Sequence, residues 1–241
     1  MLPRQQFSPI GRKNGYRFVD AQGACELADL FGNKSQLIVY HFMFAPDWQN
    51  GCKRCSFWAD NFELIDHHLA QRDISFVAAS TVPAEWLEEL KKRMGWTFRW
   101  LSSGESEFGE DFHVSSGEVQ QQQKGSIYYN YRKQNWFTEE LPGVSVFSKD
   151  DAGKIFHTYS TYCRGLDILN GAYNFVDLTP KGRHEEEKGM YRVDLRDQYR
   201  EDSKQYKSQL AGKLGVVYDQ EVVPDSWLIA DCTLRWQVTF Q

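Results

Sequence analysis

Residues 37–44, Leu-Ile-Val-Tyr-His-Phe-Met-Phe, form a nearly unbroken apolar run rich in β-branched and aromatic side chains. That is the pattern of a strand covered on both faces, and it confines the chain to architectures that pack helices against a sheet. Turn chemistry follows in Pro46, Asp47, Asn50 and Gly51, and then the pair Cys52-Lys53-Arg54-Cys55. Beyond the pair, Trp58, Phe62, Ile65 and Leu69 recur with the spacing of one stripe of an amphipathic helix.

The same alternation continues downstream. Ile74 to Ser80 reads as a second buried strand. Pro83 suits the first turn of a helix whose apolar positions are Trp86, Leu87, Leu90 and Met94, and Gly95 suits its end. Strand, turn, helix, strand, helix is the order of βαβ units on a parallel sheet. Trp96 to Leu101 is expected as another strand. Residues 103–126, with a Gln120 to Gln123 run, are polar and expected to be an irregular insertion. Val144 to Phe147 and Ile155 to Tyr159 flank a polar, Gly-containing stretch and read as a β-hairpin. A last helix is expected from Arg164 to Val176, burying Leu166, Leu169, Tyr173 and Val176.

Composition changes after that. His184 to Lys207 is dense in charge, and Val216 to Phe240 alternates enough for two short strands. The division expected is a domain over residues 1–183 and a charged extension over 184–241, for which a dimerisation arm or a lid are open roles.

The chain of 241 residues is 41 % hydrophobic and 15 % aromatic, enough for a substantial core. Its net charge of −5 is spread without a Lys/Arg-rich block, which argues against nucleic acid as a partner. No apolar run approaches the roughly 20 residues that cross a bilayer, and the first 18 residues lack the apolar core of a secretory signal. A cytoplasmic location is the expectation, with no membrane partner. Five cysteines do not make a disulfide framework. Cys25, Cys163 and Cys232 stand alone in the sequence and read as small buried hydrophobes.

The chemistry therefore concentrates in Cys52 and Cys55. Two cysteines between a buried strand and a helix are the arrangement of a thiol–disulfide redox site. The first would sit at the helix start, where free N–H groups and the neighbouring cations Lys53 and Arg54 favour its thiolate. The second, one turn on, can resolve a mixed disulfide. A structural zinc site would need two further ligands. His67 and His68 stand at a suitable distance, but Gln71, Arg72 and Asp73 occupy the places where the second His belongs. His41 reads as a satisfied core histidine, and His113 and His157 receive no role. The Glu185-Glu186-Glu187 run reads as a solvated face. No nucleotide-binding, metalloprotease or hydrolase motif is present.

These residues carry a family resemblance. Tyr40-His41-Phe42-Met43-Phe44-Ala45-Pro46-Asp47-Trp48, Gly51-Cys52 and Cys55-Ser56-Phe57-Trp58-Ala59-Asp60-Asn61-Phe62 resemble the DUF899 family. So do Lys92-Arg93-Met94-Gly95-Trp96, Leu141-Pro142-Gly143-Val144-Ser145-Val146-Phe147 and Phe156-His157-Thr158-Tyr159-Ser160-Thr161-Tyr162. The resemblance spans roughly residues 10–184.

It implies a thioredoxin-like α/β fold of the peroxiredoxin kind, a central mixed sheet flanked by helices. It also implies that Cys52 and Cys55 are catalytic, and that Trp48, Lys53, Arg54 and Pro142 line the site, with Pro142 in a cis peptide bond before the strand facing the dithiol. The implied activity is thiol–disulfide oxidoreductase or disulfide isomerase, with no cofactor and no metal. Its partner would be a protein or small-molecule thiol or disulfide, and a homodimer stays open. Thiol peroxidase and a non-catalytic binding module are the alternatives. The sequence departs from thioredoxins in having Gly51 where they carry Trp. Phe42 stands where they hold a buried carboxylate, leaving Asp47 as a substitute. Gln49 stands where peroxiredoxins carry Thr.

Overall fold

The computed structural model describes residues 8–9, 15–115, 127–134, 139–183, 185, 190 and 193–199. The Gln120 to Gln123 run, most of the charged stretch after residue 183 and the two strands expected in 216–240 lie outside the described residues, as does Cys232.

The long apolar run forms strand β4, Gln36–His41. It is preceded by β1 (Ser8–Pro9), β2 (Arg17–Asp20) and β3 (Gly23–Glu26). After β4 come helices α1 (Lys53–Ala59) and α2 (Ile65–Ala70), strand β5 (Ile74–Ser80), helix α3 (Ala84–Met94) and strand β6 (Arg99–Ser102). A short helix α4 (Phe108–Asp111) and a separate small hairpin of β7 (Ile127–Tyr129) and β8 (Arg132–Gln134) follow. The long hairpin of β9 (Gly143–Lys149) and β10 (Ile155–Tyr162) then leads to helix α5 (Gly171–Asp177).

Eight strands make one sheet in the order β1-β10-β9-β4-β5-β6-β2-β3. β4 runs parallel to β5, and β5 parallel to β6, while β9 is antiparallel to both β4 and β10. The kernel β10-β9-β4-β5, with α1 to α3 in the crossovers and α5 last, is the thioredoxin-like arrangement expected. The hairpin of β2 and β3, silent in the sequence pattern, extends the sheet beyond β6.

Two aromatic-rich layers cover the sheet. Tyr40, Phe42, Trp58, Phe62, Trp96 and Trp100 pack with α1 and α3 on one face. Phe18, Leu37, Val39, Phe108, Phe112 and Phe147 pack on the other. Each fully buried side chain of this kind stabilises the fold by roughly 1.5–3 kcal/mol.

Several expectations change. The stripe from Trp58 to Leu69 is two helices, because residues 60–64 direct their polar groups outward from the helix path. Asp60 accepts from Trp96 Nε1 at 2.8 Å, Asn61 Oδ1 accepts from the Ala172 N–H at 3.0 Å, and Glu63 accepts from Thr97. Leu64 then turns left-handed at φ 68°. The last helix is likewise split into a 3-10 segment, Cys163–Leu169, and α5. Asn170 caps α5 through the Tyr173 N–H, leaving Leu169 exposed. Within the charged extension, the described residues Val193 and Leu195 are buried. Cys163 is disulfide-bonded, contrary to the expectation that it stands alone. No helix among the described residues is long and apolar enough to cross a membrane.

Candidate functional site: a dithiol beside a buried carboxylate

β4 ends at His41, and the chain continues through Phe42 and Phe44, both buried, before turning back. The turn brings Cys52 against the strand it has just left, with its N–H donating to the Met43 carbonyl at 3.0 Å. Cys52 is the residue immediately before α1, and its own carbonyl accepts the Ser56 N–H at 2.9 Å and the Ser56 hydroxyl at 3.0 Å. The half-buried sulfur therefore lies at the first turn of the helix, where N–H groups have no helical acceptor.

Cys55 is one turn on and buried, and both cysteines are free thiols. The Cys55 side chain hydrogen-bonds the Cys52 sulfur, and the N–H groups of Cys55 and Arg54 and the Arg54 charge assist, bringing the Cys52 thiol down to about 7. Burial, and then the neighbouring Cys52 sulfur, push the Cys55 thiol well up. The Met43 backbone and the Tyr40 hydroxyl act against that rise at Cys55. Tyr40 is fully buried and its hydroxyl also donates to the Cys55 carbonyl at 3.3 Å. The pair is thus asymmetric, with the Cys52 thiol brought down and the Cys55 thiol pushed up.

Other expected residues take different places. Arg54 is half-buried beside the sulfur, whereas Lys53 is exposed. Trp48 packs partly buried against the same aromatic layer as Cys52. Pro142 is half-buried immediately before β9, whose first residue Gly143 stands opposite His41 at the end of β4. The implied cis bond is absent, since no peptide bond among the described residues is cis. Behind the site, Arg93 of α3 donates to Asn50 at 2.8 Å and is itself paired with Asp197 at 2.7 Å, bracing the loop that carries Cys52.

One site residue escaped the sequence reading. Glu140 is buried, with the Phe44 N–H donating to one carboxylate oxygen and the Thr81 N–H (3.0 Å) and hydroxyl donating to the other. These donors extend from the ends of β4 and β5, so the carboxylate closes the gap between two parallel strands. Burial raises its carboxyl to about 7 against those hydrogen bonds, and the charge of Cys52 adds to the rise. Glu140, and not Asp47, is the buried acid of the site. The sequence signal was faint: Glu139-Glu140 before Leu-Pro-Gly reads as a solvated turn. Among the described residues, no group of three or more His, Cys, Asp or Glu is placed to hold a metal ion.

Several solved structures are similar in fold. A PrxQ mutant of Xylella fastidiosa shares 13 % identity at a TM-score of 0.43, covering 70 % of this chain and 95 % of that one. The peroxidoxin BcpB of Mycobacterium tuberculosis shares 13 % at 0.45, covering 70 % and 96 %. A thiol:disulfide interchange protein from Bacteroides sp. shares 14 % at 0.41, covering 76 % and 97 %. No curated protein matches the sequence. Residues 3–199 match the family described as "Bacterial protein of unknown function (DUF899)", well past the residue 184 at which the sequence resemblance ends, and the chain belongs to that family.

Proposed function

We propose that the protein is a thiol–disulfide oxidoreductase in which Cys52 attacks and Cys55 resolves. The observation that carries this reading is the asymmetry of the pair, a half-buried thiol held near 7 beside a buried thiol held well above it. The Cys52 thiolate attacks one sulfur of a substrate disulfide, forming a mixed disulfide and expelling one substrate thiolate. Cys55 then loses its proton and attacks the Cys52 sulfur, forming the Cys52–Cys55 bond and expelling the second thiolate. Two electrons pass to the substrate, and an external thiol reductant returns the pair to the dithiol. Glu140 serves as the acid–base group for the Cys52 proton, because its carboxyl titrates in the same range and responds to the Cys52 charge.

The substrate class proposed is a protein or small-molecule disulfide, met in a reducing compartment such as the cytoplasm. The test is reduction of insulin disulfides by the dithiol form. Cys52→Ser abolishes it, and Cys55→Ser accumulates mixed disulfides that cannot resolve. An undiminished rate in Cys52→Ser overturns the proposal. Thiol peroxidase chemistry would use the same Cys52 sulfur, and direct consumption of hydrogen peroxide with no disulfide reduction selects it instead. Serine at both cysteines with retained partner binding is the mark of a binding module.

A further inference from the structure

A line of hydrogen-bonded side chains crosses the sheet on the face opposite the dithiol. His41 Nε2 lies 2.9 Å from Ser145 Oγ, Ser145 Oγ lies 2.9 Å from Ser160 Oγ, and Ser160 Oγ lies 2.7 Å from His157 Nε2. His157 Nε2 is also 3.0 Å from the Tyr159 carbonyl. His41, Ser145 and Ser160 are buried, and the line surfaces at the half-buried His157.

The strand register builds this line. Ser145 and Ser160 are directly paired across β9 and β10. Ser145 pairs with Val39 in β4, so His41, two residues on, reaches it diagonally on the same face. Alternation alone would put His157 and Ser160 on opposite faces. The register shift between His157 and Tyr159 adds one residue to β10 and returns both to one face.

At its inner end the line meets the redox site. His41 and Glu140 both border a small cavity of about 10 Å³, which Thr81, Ser103 and Ser115 also line. That is room for about one water with enough polar partners to hold it. Burial keeps the His41 imidazole neutral, with its titration down to about 3, so the ring has one nitrogen that donates and one that accepts. Each serine hydroxyl likewise can give one proton and take another.

We propose that His41, Ser145, Ser160 and His157 form a proton relay between the buried Glu140 carboxyl and solvent. This rests on the reading of Glu140 as the acid–base group of the dithiol. When Cys52 is deprotonated for attack, its proton passes to Glu140. The carboxyl gives a proton to the cavity water, and each hydrogen bond passes one proton outward. His157, protonated on Nδ1, accepts the Ser160 proton at Nε2 and releases its Nδ1 proton to solvent, and the new Nε2–H then faces the Tyr159 carbonyl. The expelled substrate thiolate takes its proton from solvent, so no net proton is produced. The four relay groups are positioning and transfer residues that touch neither the sulfur nor the substrate.

The test has two readouts. The infrared C=O band of the buried carboxylic acid, assigned by its loss in Glu140→Gln, shifts when the protein is mixed into D₂O and reports how fast that proton exchanges. Ser145→Ala and Ser160→Ala slow this exchange by on the order of 100-fold, the scale of proton transfer through a positioned group. The second readout is single-turnover reduction of a small disulfide, which slows in the same variants while the Cys52 pKa stays unchanged. Ser160→Thr, which keeps the hydroxyl, restores both, and Ser160→Ala carries the test if Ser145→Ala does not fold. Exchange as fast in both alanine variants as in the wild type overturns the relay. A wild-type protein that exchanges through the relay but reduces no disulfide overturns the redox reading instead, leaving the path intact.

Discussion

Cys52 and Glu140 hold opposite ends of one peptide unit. The Met43 carbonyl accepts the Cys52 N–H at 3.0 Å, and the Phe44 N–H, across the same bond, donates to the Glu140 carboxylate. Carbonyl and N–H point opposite ways in a trans peptide, so the end of β4 spaces Cys52 from the Glu140 carboxylate rigidly. Environment brings both groups to about 7 from opposite directions, hydrogen bonds lowering the thiol and burial raising the carboxyl. The Cys52 charge adds to the rise of the Glu140 carboxyl, so ionising the thiol makes the acid harder to ionise.

Replacing Glu140 by Gln separates these effects. The lost charge lets the Cys52 thiolate form more easily, so its pKa falls below about 7, read as alkylation rate against pH. The amide NH₂ cannot accept from the Phe44 or Thr81 N–H, and an unpaired buried donor destabilises the fold by roughly 1–3 kcal/mol. The folded-state carboxyl titrates near 7 against an ordinary 4.5, so the native protein holds a proton the unfolded chain has released. Its stabilising contribution is full below about 4.5 and lost as pH rises through about 7. Denaturant melts should show the wild type's advantage over Glu140→Gln narrowing across that window. An advantage that widens with pH contradicts the assignment.

The two cations of the motif are not equivalent. Arg54 is half-buried and its charge acts on Cys52, so Arg54→Ala raises the Cys52 pKa. The increase stays below about one unit, because the backbone N–H that also stabilises the thiolate survives the substitution. Lys53 is exposed and its charge is screened by water and salt, so Lys53→Ala leaves the titration in place. Equal shifts in the two variants would show that net charge, and not placement, lowers the thiol.

Tyr40→Phe tests the other sulfur. The Tyr40 hydroxyl favours the Cys55 thiolate and meets the Cys55 carbonyl at 3.3 Å. Its removal forfeits about 0.5–1.5 kcal/mol, or roughly two- to tenfold in the rate at which Cys55 resolves a mixed disulfide. Quenched-flow trapping reads that step separately from the Cys52 attack, which keeps its rate. A slower attack with unchanged resolution would assign Tyr40 to the wrong cysteine.

What the sequence made legible was whatever a local pattern encodes. Ile74 to Ser80 is a strand over the residues expected, and the long hairpin needs only small changes at its ends. The dithiol stood out because the spacing of Cys52 and Cys55 is itself the chemistry. Glu140 was hidden because its burial depends on donors at Phe44 and Thr81, which approach only once β4 and β5 pair. The relay was hidden for the same reason, since the register shift in β10 has no sequence mark. The helix break near Leu64 escaped because Trp58 and Phe62 keep their buried stripe although the backbone between them leaves the helix.

Gly51, the departure from thioredoxins that looked like a missing part, is required by packing. A Cβ at this position would come within 2.7 Å of Leu90 Cδ2 and 2.8 Å of Phe42 Cε1. Both neighbours are buried, Phe42 in the aromatic layer and Leu90 on the inner face of α3, so neither can yield freely. Gly51→Ala must push the loop outward, and overpacking of this kind destabilises by about 1–3 kcal/mol. The displacement falls on the next residue, weakening the Cys52 N–H bond to Met43 and moving the sulfur from the helix start. The variant should therefore lose stability and raise the Cys52 pKa together. Leu90→Ala, which empties the space the new methyl needs, should return the pKa toward the wild-type value in the double variant even though it removes core packing. A Cys52 titration unmoved in Gly51→Ala would mean that the loop absorbs the methyl elsewhere and that close approach to α3 does not set the position of the nucleophile.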